Sequence, residues 1–207
     1  TAEPSWSALL IGNPTGDLPS SAEEIEQIAR LVEATPGASV AHILMRSRAT
    51  KVAVRRHLAG GAYRLIHYAG HAHIDHDAPE RSGLLLANRE ILTIREIQEQ
   101  IGGHPLVFLN GCESACKPKA RGTVDQAHAA DIAAAFMRAG AQAVVGTFWP
   151  VHDRLSAALA VAFYRVALHG EPYAAALRTA RMESRRLYPQ APLWASYLLY
   201  GDPAQAL

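Results

Sequence analysis

Two residues that could carry out nucleophilic chemistry follow apolar segments of the sequence. His71 follows the segment 65–70, LIHYAG, and Cys112 follows the segment 106–111, LVFLNG. An apolar run that ends in glycine is typical of a buried strand entering a tight turn. Because the carboxyl ends of parallel strands share one edge of a sheet, we expect the two residues to meet there. A protonated histidine can stabilise a cysteine thiolate and later protonate a leaving amine, so the pair predicts cysteine-dependent peptide-bond cleavage.

The backbone around the pair could complete such a site. The amide of Cys112 and the amide of Ala72, directly after His71, could form an oxyanion hole. The alternative is that Cys112 is a buried structural cysteine, as many cysteines are. The pattern alone leaves both interpretations open. A catalytically silent interaction domain is a further alternative, which the presence of both His71 and Cys112 disfavours.

A metal-dependent alternative starts from the same histidine. His71, His73, Asp75 and His76 spell H-x-H-x-D-H, which resembles the zinc-ligand motif of metallo-β-lactamase-like hydrolases. Such a site needs further ligands, for which the candidates are His128, His152 and His169. It also needs two largely antiparallel sheets, whereas the second half of this chain reads as helix, strand and helix.

Composition narrows the classes of function. The chain has 207 residues, of which 49% are hydrophobic, enough for one domain with a substantial core. The formal net charge of +1 indicates neither a nucleic-acid-binding nor a membrane-binding protein, and we expect neither partner. The two cysteines, Cys112 and Cys116, are too few for a disulfide-built secreted domain, so we expect a cytoplasmic protein. The chain begins at Thr1, and we expect it to be a single domain, 1–207, cut from a larger multidomain protein.

Apolar strands alternate with helical segments along the chain. Strands are predicted at 6–11, 39–45, 63–68, 105–110, 142–148 and 194–200, with a small hairpin near 83–92. This alternation predicts an α/β fold, a three-layer sandwich with a mostly parallel central sheet flanked by helices. Ser21 with Glu24, and Thr93 with Glu96, have the spacing of helix capping boxes.

Three other features have a structural and a functional interpretation. His67 lies inside an apolar run, where a hydrogen-bonded core histidine is the favoured interpretation. Asp153 opens a helix and could be its N-cap, answered by Ser156, or a carboxylate that binds Arg or Lys of a substrate. The basic loop 117–121 could be an ordinary solvated loop or a segment for activation or self-cleavage.

The ordered set of motifs resembles the CHAT domain, a caspase-like family of bacterial cysteine peptidases related to separases. The resemblance covers nearly the whole chain and rests on the segments 12–19 (GNPTGDLP), 67–71 (HYAGH), 109–114 (LNGCES), 136–153 (FMRAGAQAVVGTFWPVHD) and 200–203 (YGDP).

The resemblance implies a caspase-like sandwich with His71 and Cys112 as a catalytic dyad, and no cofactor or metal. Separases bind the arginine at their cleavage point through an Asp after the Trp strand, and Asp153 occupies the similar place. The family usually has glycine after the catalytic histidine; here Ala72 keeps the backbone N–H but disfavours positive φ. The implied partners are a protein or peptide substrate and a sensor domain or protein, with activation at loop 114–127. Anti-phage defence in a bacterium is the expected setting.

Overall fold

The chain folds around one mixed sheet in which most strands run parallel. The computed structural model describes residues 5–75, 77–99, 101–112, 132–147 and 153–207. The strand order is β2-β1-β3-β6-β7-β8, and only the edge strand β8 runs antiparallel to its neighbour on this path. A β4–β5 hairpin extends from the end of β3. The predicted α/β sandwich is confirmed.

The described strands are β1 (Trp6–Gly12), β2 (Ala38–Met45), β3 (Leu65–His73), β4 (Gly83–Leu85), β5 (Ile91–Thr93), β6 (Leu106–Cys112), β7 (Ala143–Thr147) and β8 (Tyr197–Gly201). The helices are α1 (Pro19–Glu33), α2 (Lys51–Gly60), α3 (Ile94–Gln98), α4 (132–138), α5 (Asp153–Ala167), α6 (Tyr173–Leu187) and α7 (Leu193–Ser196), with short 3-10 turns at Arg46–Arg48, Pro79–Arg81 and Ala87–Arg89.

The central strands are apolar on both faces because helices cover both sides of the sheet. On one face, α1, α5 and α6 pack around residues such as Leu10 and Phe108. On the other face, α2, α3 and α4 pack around residues such as Leu9 and Val107. Neighbouring residues of one strand thus enter different cores, as the alternation of a strand requires. Of the helices that the structure describes, none has the length and apolar character to cross a bilayer.

The structure corrects the predicted ends of three strands. β3 does not turn at Gly70 but continues to His73, because its end gains β4 as an antiparallel partner. β6 likewise continues through Gly111 to Cys112. The predicted strand 194–200 begins as a short helix, Leu193–Ser196, before β8 starts at Tyr197.

Glu96 links the N-terminus of α3 to two basic residues of α2. The capping box predicted for Thr93 and Glu96 is present, with both reciprocal hydrogen bonds. The Glu96 carboxylate also lies 2.8 Å from Lys51 Nζ and 3.4 Å from Arg55 Nη1. Burial works against its ionisation, but these Lys51 and Thr93 contacts outweigh it and lower the Glu96 pKa from its ordinary value.

We expect Glu96→Gln to lower the free energy of unfolding by about 1 kcal/mol at neutral pH, because glutamine keeps the capping contacts but loses both ion pairs. A carboxylate with a lowered pKa stabilises the fold above its ordinary pKa and loses that effect as pH falls through its folded-state pKa. The difference between variant and wild type should therefore shrink below pH 4.5. Urea unfolding across this pH range is the measurement; a difference independent of pH would contradict the assignment.

Candidate active site

The ends of β3 and β6 place the two predicted catalytic residues side by side. The parallel register pairs His71 directly with Cys112 at the carboxyl edge of the sheet. Adjacent strands lie about 4.8 Å apart, so the two backbones are immediate neighbours. The next residue, Ala72, is extended and pairs with Leu84 of the hairpin, so it needs no glycine-like conformation.

The side chain of Tyr68 fixes the backbone of His71 through a hydrogen bond. The Tyr68 hydroxyl lies 2.7 Å from the carbonyl oxygens of both His71 and Leu85, and its single proton is shared between these two acceptors. Complete burial raises the pKa of Tyr68, so the hydroxyl remains a neutral donor. Gly70 is required here, because a Cβ at that position would lie 2.4 Å from the same hydroxyl. The glycine before His71 thus makes room for the tyrosine that fixes the strand end.

The ring of His71 contacts a carboxylate that the sequence analysis did not single out. Nε2 of His71 lies 3.0 Å from Oδ1 of Asp17. The histidine side chain is 8% exposed and the aspartate side chain 64% exposed. Desolvation opposes ionisation of Asp17, but hydrogen bonds from Thr15 and His71 and the charge of His71 hold its pKa below the ordinary value. At neutral pH Asp17 is therefore an anion in contact with His71.

A structured turn after β1 presents Asp17 to His71. Asn13 is buried and left-handed at φ 46°, a conformation that asparagine tolerates better than most residues. Its backbone N–H donates to the Ala69 carbonyl, and its side-chain oxygen accepts from Leu18 N–H at 3.0 Å. These bonds tie the turn to β3 at one end and to the start of α1 at the other.

A polar cleft opens in front of His71. It has a volume of about 450 Å³ and is lined by Pro14, Thr15, Asp17, His71, Leu85, Asn88 and Arg89. The turn after β1 forms one wall, and the β4–β5 hairpin with its connecting turn Ala87–Arg89 forms the other.

Asp153 lies at the same edge of the sheet, where its side chain is hydrogen-bonded to the start of α1. Its carboxylate accepts from the backbone N–H of Ser20 at 3.0 Å and from Oγ of Ser21 at 2.9 Å. The carboxylate thus caps a different helix from its own, while Ser156 Oγ donates to the Asp153 carbonyl. The capping box predicted for Ser21 and Glu24 is wrong, because α1 begins earlier, at Pro19, and takes its cap from α5.

Glu24 instead belongs to a fully buried polar network beneath the site. Its Oε1 accepts from Asn110 Nδ2 at 2.7 Å and lies 2.9 Å from His67 Nε2, a close contact without hydrogen-bond alignment. His67 Nδ1 lies 3.0 Å from the Tyr164 hydroxyl, and the Tyr197 hydroxyl donates to Asn110 Oδ1 at 2.5 Å. His67 is thus a hydrogen-bonded core histidine, as predicted. The network joins α1 to β3 and β6 close to both site residues.

The structure does not support the metallo-β-lactamase-like alternative. That fold requires two largely antiparallel sheets, and the described residues form one mostly parallel sheet. Asp75 accepts from the N–H groups of Asp77 and Ala78, which lowers its pKa and closes a turn. His169 follows α5 at the opposite edge of the sheet from His71. In the part of the chain that the structure describes, no group of three or more ligand-type residues could hold a metal ion.

Several predicted features fall outside the described residues. These are His76, His128, His152, the basic loop 117–121 and the segment 114–127 beyond Cys112.

The family follows from a match over nearly the whole sequence. Residues 1–202 match the model of the CHAT domain family. The chain belongs to the CHAT domain family. The family and the caspase-like fold of this CHAT domain are those that the sequence motifs predicted. No curated protein sequence matches it significantly.

Solved structures share the fold of this CHAT domain at low sequence identity. The Arg-specific cysteine proteinase gingipain R (RgpB) of Porphyromonas gingivalis superimposes with a TM-score of 0.72 at 13% identity, over 97% of this chain and 47% of that one. Separase in the Saccharomyces cerevisiae separase–securin complex gives 0.59 at 16% identity, over 99% and 12%. The Drosophila initiator caspase Dronc gives 0.58 at 7% identity, over 99% and 83%. The CHAT domain therefore spans about half of the gingipain chain and about an eighth of the separase chain.

Sequence reasoning missed Asp17 as a contact of His71. One signal was available: Asp17 follows the first predicted strand, whose carboxyl end must lie at the same edge as His71. A single acidic residue in a turn is too common to be singled out by that argument alone.

We expect Asp153→Ala to lower the free energy of unfolding by about 1 to 2 kcal/mol, the usual effect of removing a helix cap. Asp153→Asn keeps one side-chain acceptor for α1 and should cost less. The matched control is Asp202→Asn at the opposite edge of the sheet. Urea unfolding measures all three, and equal stability of Asp153→Ala and wild type would contradict the capping role.

Proposed function

We propose that this CHAT domain is a cysteine endopeptidase in which Cys112 is the nucleophile and His71 its acid–base partner. One observation carries the proposal: the β3–β6 register pairs the two residues at the carboxyl edge of the sheet. The cleft in front of His71 provides space for a peptide segment at that edge. The CHAT family and the caspase-like fold support the reaction class.

The proposed reaction has two halves. The Cys112 thiolate attacks the carbonyl carbon of the scissile peptide bond, and the negative oxygen is stabilised by the backbone N–H groups of Cys112 and Ala72. The C–N bond then breaks, and protonated His71 gives its proton to the leaving amine. In the second half, His71 takes a proton from water, whose oxygen attacks the thioester carbonyl. The C–S bond breaks, releasing the acid product and regenerating Cys112.

Asp17 supports this role of His71. A carboxylate 3.0 Å from Nε2 fixes the ring and stabilises the imidazolium that pairs with a thiolate. Nδ1 is then the ring nitrogen that we assign to Cys112. Asp17 acts through His71 in this scheme and is a positioning residue.

For specificity, we propose cleavage after arginine, with Asp153 as the acidic residue that receives the side chain. Each carboxylate oxygen has two acceptor positions, so Asp153 can cap α1 and still accept bonds from a guanidinium. The Arg specificity of gingipain R, a relative in fold, is consistent with this preference.

We further propose that 1–207 is one peptidase domain of a larger protein, controlled by a sensor module through the segment 114–127. The absence of a disulfide-rich composition favours a cytoplasmic location, with anti-phage defence in a bacterium as the setting.

We expect Cys112→Ala and His71→Ala each to abolish cleavage of a mixed peptide library, with rate losses of at least about 10³-fold. Cys116→Ala removes the other cysteine of the chain and should retain activity. Mass spectrometry of the products reads out both the rate and the residue before each cut. Undiminished cleavage by Cys112→Ala would refute the cysteine mechanism.

Asp17→Asn should reduce kcat about tenfold with little change in KM, because it removes a charge-assisted contact to His71.

Asp153→Asn should instead raise KM for peptides with arginine before the cut and leave leucine peptides unaffected. Asp202→Asn is the control for loss of a carboxylate. If arginine peptides are cleaved no faster than leucine or methionine counterparts, the proposed specificity is wrong.

A further inference from the structure

Two exposed arginines are held in an unfavourable backbone conformation near the cleft. Arg46 has φ 48° and Arg89 has φ 60°, both in the left-handed region. Residues other than glycine, asparagine and aspartate rarely adopt this backbone conformation, because their Cβ atom then crowds the neighbouring backbone. Glycine would fit both positions with less strain, so the fold alone does not account for arginine at either of them.

The turns that carry these arginines pack against each other at the carboxyl edge of the sheet. The turn Arg46–Arg48 follows β2, and the turn Ala87–Arg89 follows β4. The two turns are in contact, and the Ala87 N–H donates to the Ala49 carbonyl at 3.0 Å. They therefore form one continuous surface.

This surface continues into the cleft of the candidate active site. Arg89 lines the cleft together with His71. The last residue of β2, Met45, pairs with Gly12 at the end of β1. Arg46, the next residue, therefore lies beside the turn that carries Asp17. We call Arg46, Arg48 and Arg89 the arginine rim.

The charge of the rim is not neutralised in the part of the chain that the structure describes. All three arginines are exposed, and no described carboxylate forms an ion pair with any of them. Lys51 and Arg55, on the neighbouring helix α2, differ in this respect because both pair with Glu96. The rim thus offers planar, permanently charged groups suited to carboxylates.

The cleft therefore has two charged regions of opposite sign. Asp17 lies beside His71, and Arg89 lies on the opposite wall. A substrate that is acidic throughout would be repelled next to His71, and one that is basic throughout would be repelled at the rim. The charges fit a neutral or basic residue near the cut and acidic residues to one side of it.

We propose that the arginine rim is a substrate-binding surface that recognises an acidic segment flanking the cleavage site of a protein substrate. The proposal rests on the peptidase function above, which it extends by naming a recognition element outside the cleavage point. A protein segment is favoured over nucleic acid, because the rim adjoins the acidic Asp17 and the domain has a net charge of only +1.

The test uses four fluorescent peptides that share a central arginine. They carry a run of glutamates or of glutamines, either before or after the arginine, and a single-stranded oligonucleotide serves as competitor. Binding is measured by anisotropy with Cys112→Ala protein, so that it does not depend on turnover. Cleavage by the protein with Cys112 intact is measured separately.

One glutamate peptide should bind more tightly than its glutamine counterpart, and Arg46→Gln with Arg89→Gln should weaken it about fivefold, the effect of losing two exposed ion pairs. Raised salt should weaken it similarly. Arg186→Gln, on an exposed helix end on the other face of the sheet, removes one charge and is the control.

Equal binding of glutamate and glutamine peptides would overturn the proposal, as would equal effects of the rim and control variants. Tighter binding of the oligonucleotide, lost in the rim variants, would overturn it in favour of nucleic acid. Glutamate-dependent binding without any cleavage would support the rim and count against the peptidase function, so the two failures are distinguishable.

Discussion

The parallel pairing of β3 with β6 determines where the chemistry of this domain can take place. A shift of one residue in that register would separate His71 from Cys112 and turn the residues of one strand to the opposite face. The neighbouring parts of the site are attached to this pair of strands. Tyr68 holds the end of β3, the β4–β5 hairpin extends it, and the turn after β1 attaches to Ala69 before presenting Asp17.

Buried polar groups make this register specific. Apolar strands offer similar packing in more than one register, whereas a buried carboxylate must meet its partners or bear a large desolvation cost. Glu24 on α1 meets His67 of β3 and Asn110 of β6, each a few residues before a candidate catalytic residue. The network therefore selects one alignment of helix and strands, and it does so directly beneath the site.

The fold class and the location of the site could be predicted from the sequence, since both follow from local patterns. Apolar runs alternating with helices predict a parallel sheet, and strand ends predict the edge where His71 and Cys112 meet. Contacts between distant segments could not be predicted in this way. The spacing of Ser21 and Glu24 suggested a local capping box, yet Ser21 bonds to Asp153 and Glu24 to Asn110. Asp17 was missed for the same reason, because its partner lies 54 residues away.

The cap that Asp153 supplies to α1 also has a consequence for the order in which the chain folds. The bond joins residues 133 positions apart, so the first helix receives its N-terminal cap only after most of the domain has been synthesised. Contacts of such large sequence separation form slowly, because the loop must close before the bond contributes. On the ribosome, the start of α1 can therefore gain this cap only once α5 has emerged. The first turn of α1 accordingly completes its hydrogen bonding later than the contacts that tie the preceding turn to β3.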